Sequence, residues 1–320
     1  VCGRQPTAAG REVLKFSGFS GKVFIVTRGS IPAMDRQSTL SHPEAEIYIP
    51  DSRTVPDALS RTTRLGIGAH PDDLEFMSSH GILSCFQRPD AWFGGVTCTD
   101  GSGSARTGPY SDFTDAGMVR VRAEEQRKAA RVGQYAFVAQ LRHSSRIAKN
   151  AALRHPLVDD LEGLLRATRP EVLYTHHGMD KHTAHIGVFL AVLEAARRLE
   201  PAERPQQVLG CEVWRSLDWI PDDEKVVLDL PFHPDLTASL NSVFDSQITG
   251  GKRYDLAVEG RHRANATFGD PRAADSAERV AFAVDLTPLF ISDVIRPEDF
   301  FAGFVERLGA EIERDLKSCR

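Results

Sequence analysis

The stretch that decides the fold is "RLGIGAHPDDLEFM", residues 64–77. Its first half is an apolar, glycine-spaced run that reads as a buried strand over 64–70, and residues 74–86 follow as a helix. Between them stand His70, Pro71 and two adjacent aspartates, Asp72 and Asp73. Side by side, two carboxylates repel. Either they start the helix, where an aspartate caps free N–H groups and complements the dipole, or they hold something positively charged. One aspartate would suffice for capping, and the stretch taken alone leaves both readings open.

Working outward, strands predicted over 91–100, 134–141 and 171–177 alternate with helices predicted over 118–133, 155–168 and 183–199. That rhythm implies βαβ units, hence an α/β fold: a Rossmann-like, mostly parallel sheet with helices on both faces. The expected organisation is one domain over 61–320, with its core at 62–200 and a C-terminal, substrate-side elaboration at 201–320. The latter holds strands in "QVLGCEVW" and "KVVLDL" and ends in an amphipathic helix, "EDFFAGFVERLGAEIERDL". Residues 1–60 carry β-like pieces, "KVFIVTR" and "EIYIP", and read as an N-terminal extension packed on the main sheet. Ligands of such sheets bind at the carboxyl ends of the strands, where His70, Asp100 and His176–His177 are all predicted to fall.

Composition narrows the function. The 320 residues are 41% hydrophobic and 26% charged, which removes disordered, collagenous and coiled-coil readings. A net charge of −5 gives no footprint for nucleic acid. No apolar run approaches the roughly 18 residues of a membrane span. The start lacks the apolar core of a signal peptide, so the cytoplasm is the expected compartment. Five scattered cysteines without a CxxC pair argue against a disulfide framework or a cysteine zinc site. The Gly-rich loop at 101–117 lacks the Lys-Ser/Thr of a phosphate loop and the third glycine of a dinucleotide fingerprint. It reads as a rim or lid of a pocket, or as a plain surface loop.

A second cluster, "THHGMDKHTAH" (175–185), holds four of the eleven histidines. His182 and His185 are three apart at a helix start and project from one face. Imidazole and carboxylate suit Zn²⁺, Fe²⁺ or Mn²⁺. Two strand ends of one sheet can bring His70, Asp73 and His185 around one ion, a His₂Asp set with open positions of the catalytic kind.

"AHPDDLEF" followed by "HTAH", with "TDG" and "RAEEQRKAARVG" between them, resembles the PIG-L/LmbE-like zinc-dependent N-deacetylases over roughly 62–200. The resemblance implies metal-dependent removal of an N-acetyl group from an amino sugar or its conjugate. It implies His70, Asp73 and His185 as ligands, Asp72 as general base, His182 as the group assisting at the tetrahedral intermediate, and Arg122 facing the substrate. Zn²⁺ is the expected cofactor, with Fe²⁺ or another divalent ion open. The second motif departs from the family's His-Pro-Asp-His by Thr183 and Ala184, so the aspartate that would orient His182 is missing; Asp180 is the candidate replacement. Leu74 stands where many members have glutamate, with Glu75 adjacent.

Chemistry agrees with the resemblance: amide hydrolysis near neutral pH needs water made more acidic, a base to take its proton, and stabilisation of the developing oxyanion, here by a protonated His182. Asp100 and Trp214 complete the expected substrate contacts, Trp214 as a wall for a sugar ring or, alternatively, as core packing. Lys252, Arg253, Arg261 and Arg263 offer an anion site or a solvated helix face. Alternatives are an amidase for a larger N-acyl glycoconjugate, favoured by an apolar pocket near 101–117, a non-catalytic sugar- or metal-binding relative, and a nucleotide binder. The expected partner is a small amino-sugar substrate, with a homo-oligomer left open.

Overall fold

In the computed structural model, which describes residues 40–230 and 233–320, eight strands form one sheet. They are β1 (Glu46–Tyr48), β2 (Arg64–Gly68), β3 (Phe93–Thr99), β4 (Phe137–His143), β5 (Val172–His176), β6 (Gln207–Cys211), β7 (Lys225–Asp229) and β8 (Val280–Asp285), in spatial order β1-β4-β3-β2-β5-β6-β8-β7. The five central strands from β4 to β6 are parallel. Antiparallel β1 closes one edge, and β8 with β7 extends the other. This is the α/β, mostly parallel sheet expected. Strand order reverses between β2 and β5, and that switch point is where such sheets open a crevice for ligands.

The helices are α1 (Val55–Ser60), α2 (Asp73–Met77), α3 (Ser79–Cys85), α4 (Asp115–Val132), α5 (Ser145–Lys149), α6 (His155–Thr168), α7 (Thr183–Arg197), α8 (Pro234–Ser242), α9 (Asp245–Ile248), α10 (Tyr254–Phe268), α11 (Thr287–Ile291) and α12 (Pro297–Ser318). They cover both sheet faces, and each face has its own core. Leu65 and Ile67 of β2 point to the face covered by α6 and α7, where Leu161, Leu165, Val188 and Val192 meet them. On the opposite face Leu74, Ile82, Ala129 and Tyr174 pack from α2, α3, α4 and β5. Each of the buried leucine, isoleucine and valine side chains among these contributes on the order of 1.5–3 kcal/mol. Gly68, which follows Ile67, has a separate use: a Cβ there would fall 2.9 Å from the Asp73 Cβ. The bare backbone lets the start of α2 lie directly on β2.

Several boundaries differ from the sequence reading. The helix expected over 74–86 divides at Ser78, whose backbone leaves the helical region (φ −103°, ψ 19°). Helix α4 begins at Asp115 rather than 118, because the Thr114 side chain accepts from the Gly117 N–H and caps it early. The strand expected over 134–141 runs from 137 to 143, since the turn after Gly133 uses Gln134 at φ +53°. "QVLGCEVW" stops pairing at Cys211, where Glu212 turns its carboxylate back to the Leu217 N–H at 2.7 Å. "EIYIP" supplies edge strand β1, while "KVFIVTR" lies outside the described residues. No helix among the described residues is long and apolar enough to cross a membrane.

Candidate active site

The carboxyl ends of β2 and β5 face each other across the switch point, and the chain leaving each supplies the site. After β2, the Ala69 N–H donates to His176 Nε2 at 2.9 Å, and the His70 N–H donates to Asp73 Oδ2 at 2.7 Å. After β5, His182 caps α7 and places His185 one turn inside it.

Three side chains then converge. His70 Nδ1 lies 3.2 Å from Asp73 Oδ2, His185 Nε2 lies 3.2 Å from His70 Nδ1, and His185 Nε2 lies 3.4 Å from Asp73 Oδ1. Ligands at 2.0–2.1 Å from a tetrahedral ion stand about 3.3 Å apart. The hydrogen bonding is compatible with that. With Nδ1 donating to Asp180 Oδ2 at 2.9 Å, a neutral His185 turns its Nε2 lone pair toward a carboxylate oxygen and a second imidazole nitrogen, a set that a divalent cation fits. A carboxylate behind a ligating histidine is the usual device for fixing its tautomer. Asp180 therefore orients His185, not His182 as the sequence suggested.

His176 belongs to the same cluster but in another role. Asp73, His176 and His185 also lie within coordinating distance of one another. The His176 Nε2 lone pair is already used by the Ala69 N–H, and its ring stacks on His185 at 3.9 Å. It is a buried wall for the site. His177 is fully buried and turned to its own turn, where its Nδ1 accepts from the Met179 N–H at 3.2 Å.

Asp72 is clamped from α4. Its backbone sits at φ +111°, a conformation that costs a non-glycine residue on the order of 1–3 kcal/mol and persists only when neighbours impose it. Arg122 and Gln126, one helical turn apart, do so. Gln126 Oε1 accepts the Asp72 N–H at 3.2 Å. The Arg122 guanidinium donates to the Pro71 carbonyl, to the Gly101 carbonyl at 3.1 Å, and stands 3.1 Å from Asp72 Oδ2. Gly101 (φ +67°) has to be bare, because a Cβ there would meet Arg122 Nη1 at 2.8 Å. Gln126 in turn donates to Glu75 Oε1 at 2.9 Å, which also accepts from Tyr135 Oη at 2.7 Å. Burial raises the Glu75 pKa to about 7 against those two donors. Leu74 is plain core, and Glu75 is the acid beneath the site.

The surroundings drive the two aspartates apart. Burial pushes the Asp72 carboxyl well above its ordinary range, with Arg122 opposing and Asp73 and Glu75 adding to the rise. Burial acts on Asp73 in the same sense, but His185, His176 and His70 overcome it and hold that carboxyl well below its ordinary range. Neighbouring carboxyls separated in this way take different chemical roles, one a fixed anion and one a proton carrier.

His182 Nδ1 accepts from the Ala184 N–H at 3.3 Å, which leaves its proton on Nε2. Burial, with His185 and His70 adding to it, lowers its pKa to about 4. Both the hydrogen bond and the burial favour a neutral ring with its N–H on Nε2, where the sequence reading had a protonated one. Its ring lies 4.9 Å from that of His70 and stacks on Trp214 at 6.2 Å.

A cavity of about 390 Å³ opens over these groups, within the range of small-molecule sites. Asp100, the 101–105 segment and Trp214 form its walls, with Lys149 and Lys252 among its lining. Trp214 is half-buried at the cavity and is not core packing. Arg122 reaches the same wall, but its guanidinium is engaged with Asp72 and two carbonyls. Of the basic residues near 252–263, Arg253 and Arg263 pair with Asp255 and Glu259 along α10, the solvated face expected. Lys252 lies over the Trp214 ring at 5.1 Å. What the sequence missed was the Gln126–Glu75 support, which no spacing rule announces.

Residues 65–196 match the PIG-L family, described as GlcNAc-PI de-N-acetylase. Among solved structures, the chain is similar to the N,N'-diacetylchitobiose deacetylase of Pyrococcus horikoshii (15% identity, 74% of this chain and 88% of that one, TM-score 0.55). It is similar to a conserved protein of Thermus thermophilus (17%, 70% and 94%, TM-score 0.54). It is also similar to GalB, the 4-carboxy-2-hydroxymuconate hydratase of Pseudomonas putida (15%, 70% and 96%, TM-score 0.53). These likenesses establish a shared fold. No curated protein matches the chain in sequence.

Proposed function

We propose that this protein is a zinc-dependent N-deacetylase acting on an N-acetylated amino sugar or its conjugate. His70, Asp73 and His185 would hold the ion. When bound, it supplies Lewis acidity, polarising a carbonyl oxygen and making water acidic enough to attack near neutral pH. The chain's own groups divide the remaining work. Asp72, held beside the ligands by Arg122 and Gln126, takes the proton from the attacking water and returns it to the amine as the C–N bond breaks. His182 Nε2–H donates to the carbonyl oxygen as negative charge develops there. Asp180, by accepting from His185 Nδ1, would leave His185 Nε2 free to serve as a ligand. Acetate and a free amine are the products.

The observation that carries this reading is the opposed environment of Asp72 and Asp73. A metal-binding relative without catalysis has no use for a second buried carboxyl clamped at φ +111° beside the ligands. The fold alone does not choose the reaction, since a hydratase and a deacetylase both resemble the chain. Acetate release decides. Zinc-reconstituted protein is expected to liberate acetate from N-acetylglucosaminyl conjugates, and Asp72→Asn to abolish it. Absence of acetate from the reconstituted wild type across such a panel would sink the proposal.

A further inference from the structure

A second cavity, of about 150 Å³, lies beside the first, and the two share Phe76, Val213, Trp214 and Tyr254. Trp214 stands at the junction: its ring stacks on His182 and meets Tyr254 edge-on at 6.1 Å, and Tyr254 in turn lies 5.1 Å from Phe76. Beyond these rings the lining is Met77, Ala257, Val258, Ala281 and Phe282, with the polar side chains of Glu212, Arg261 and His262. His262 is buried with its Nδ1 unpartnered among the described residues, and the other two are committed to the protein. Glu212 accepts from the Leu217 N–H, the Phe282 N–H and Asn265 Nδ2. Arg261 donates to the Val213 carbonyl. The first cavity presents carboxylates, hydroxyls and lysines; the second offers a ligand mainly apolar surface.

Volume limits the occupant. An apolar cavity of about 150 Å³ holds a benzene ring. We infer that this side cavity takes an apolar group of about six carbons, an aryl ring or short alkyl chain, carried by the substrate whose amide sits at His70, Asp73 and His185. The inference rests on the deacylase reading above. It also moves the apolar subsite away from the 101–117 loop, where the sequence would have put it, to the wall made by α2, α10 and β8.

The test titrates N-acetylglucosamine, phenyl N-acetylglucosaminide and N-hexanoylglucosamine calorimetrically into zinc-loaded Asp72→Asn, so that binding is read without turnover. The same compounds are followed for amine release with the wild type. At least one six-carbon compound is expected to bind about tenfold or more tighter than N-acetylglucosamine, as burying several methylene-sized groups requires. Ala257→Trp, which adds bulk at an exposed α10 position lining the side cavity, is expected to bring the affinities together. Equal binding of all three compounds, or a gain that survives Ala257→Trp, overturns the inference. Amine release without a binding gain would leave the deacylase standing and remove the side cavity's role. A gain in binding without any amine release would do the reverse.

Discussion

Replacing Arg122 by methionine removes the guanidinium beside Asp72 while keeping a side chain of similar length. Arg122 Nη2 stands 3.1 Å from Asp72 Oδ2, both buried. At an effective dielectric constant of about 20, that separation corresponds to about 5 kcal/mol of attraction. Relaxation and water entry reduce it, and pairs of this kind move a carboxyl by about 1–3 pKa units. Loss of the cation disfavours the carboxylate, so the Asp72 pKa rises further and the base is ionised only at higher pH. The acid limb of the pH profile of kcat/KM should therefore move up by about 1–3 units, with the rate falling about tenfold for each unit below the limb. Arg122→Lys should leave it nearer the wild-type position. The assay is amine release from pH 5 to 9, with thermal unfolding alongside to show that the variant is folded. A folded Arg122→Met with an unmoved acid limb would refute the claim that Arg122 sets the state of Asp72.

Three further outcomes follow from the same geometry. Asp180→Asn leaves His185 in place but loosens its tautomer, and should weaken metal affinity about 10–100-fold in a chelator competition; unchanged affinity would remove Asp180 from the site. Gln126→Leu leaves the Asp72 N–H without its acceptor and Glu75 Oε1 without one of its two donors, and should cost about 1–3 kcal/mol in urea unfolding and lower kcat more than it raises KM. Burial lowers the His262 pKa to about 4, with Arg279 and Arg261 adding to the fall and Glu259 opposing. The folded chain thus refuses a proton that the unfolded chain accepts below about pH 6.5, a penalty that grows as pH falls and reaches about 3 kcal/mol by about pH 4. His262→Leu should flatten that part of the stability–pH curve, and an unaltered slope would contradict it.

Much of the site was legible because its chemistry is local in sequence. His70 and Asp73 are three residues apart at a strand end, and His182 and His185 are three apart at a helix start. Parallel strands carry both ends to the same edge of the sheet. The switch point between β2 and β5 then makes the meeting of His70 and His185 a consequence of strand order. What could not be read depends on where side chains turn. Asp180 is near both His182 and His185 in sequence, and only the fold shows that its Oδ2 meets His185. Arg122 was expected to face substrate; it does line the cavity, and its contacts with Asp72 and the Gly101 carbonyl were not visible in the sequence. The neutral state of His182 comes from the Ala184 N–H on its Nδ1 and from burial, neither visible in a motif. Edges shifted for similarly local reasons, as when the Thr114 cap started α4 early.

The most direct test of the centre is metal content per chain, measured after zinc reconstitution and dialysis for the wild type, Asp73→Asn, His185→Ala, His177→Ala and Asp72→Asn. One zinc is expected in the wild type, retained in His177→Ala and in Asp72→Asn, with acetate release absent from the latter, and lost in Asp73→Asn and His185→Ala. Zinc lost from Asp72→Asn but kept in Asp73→Asn would exchange the roles assigned to the two aspartates. No zinc in any form would contradict the metal centre and the hydrolytic reading with it.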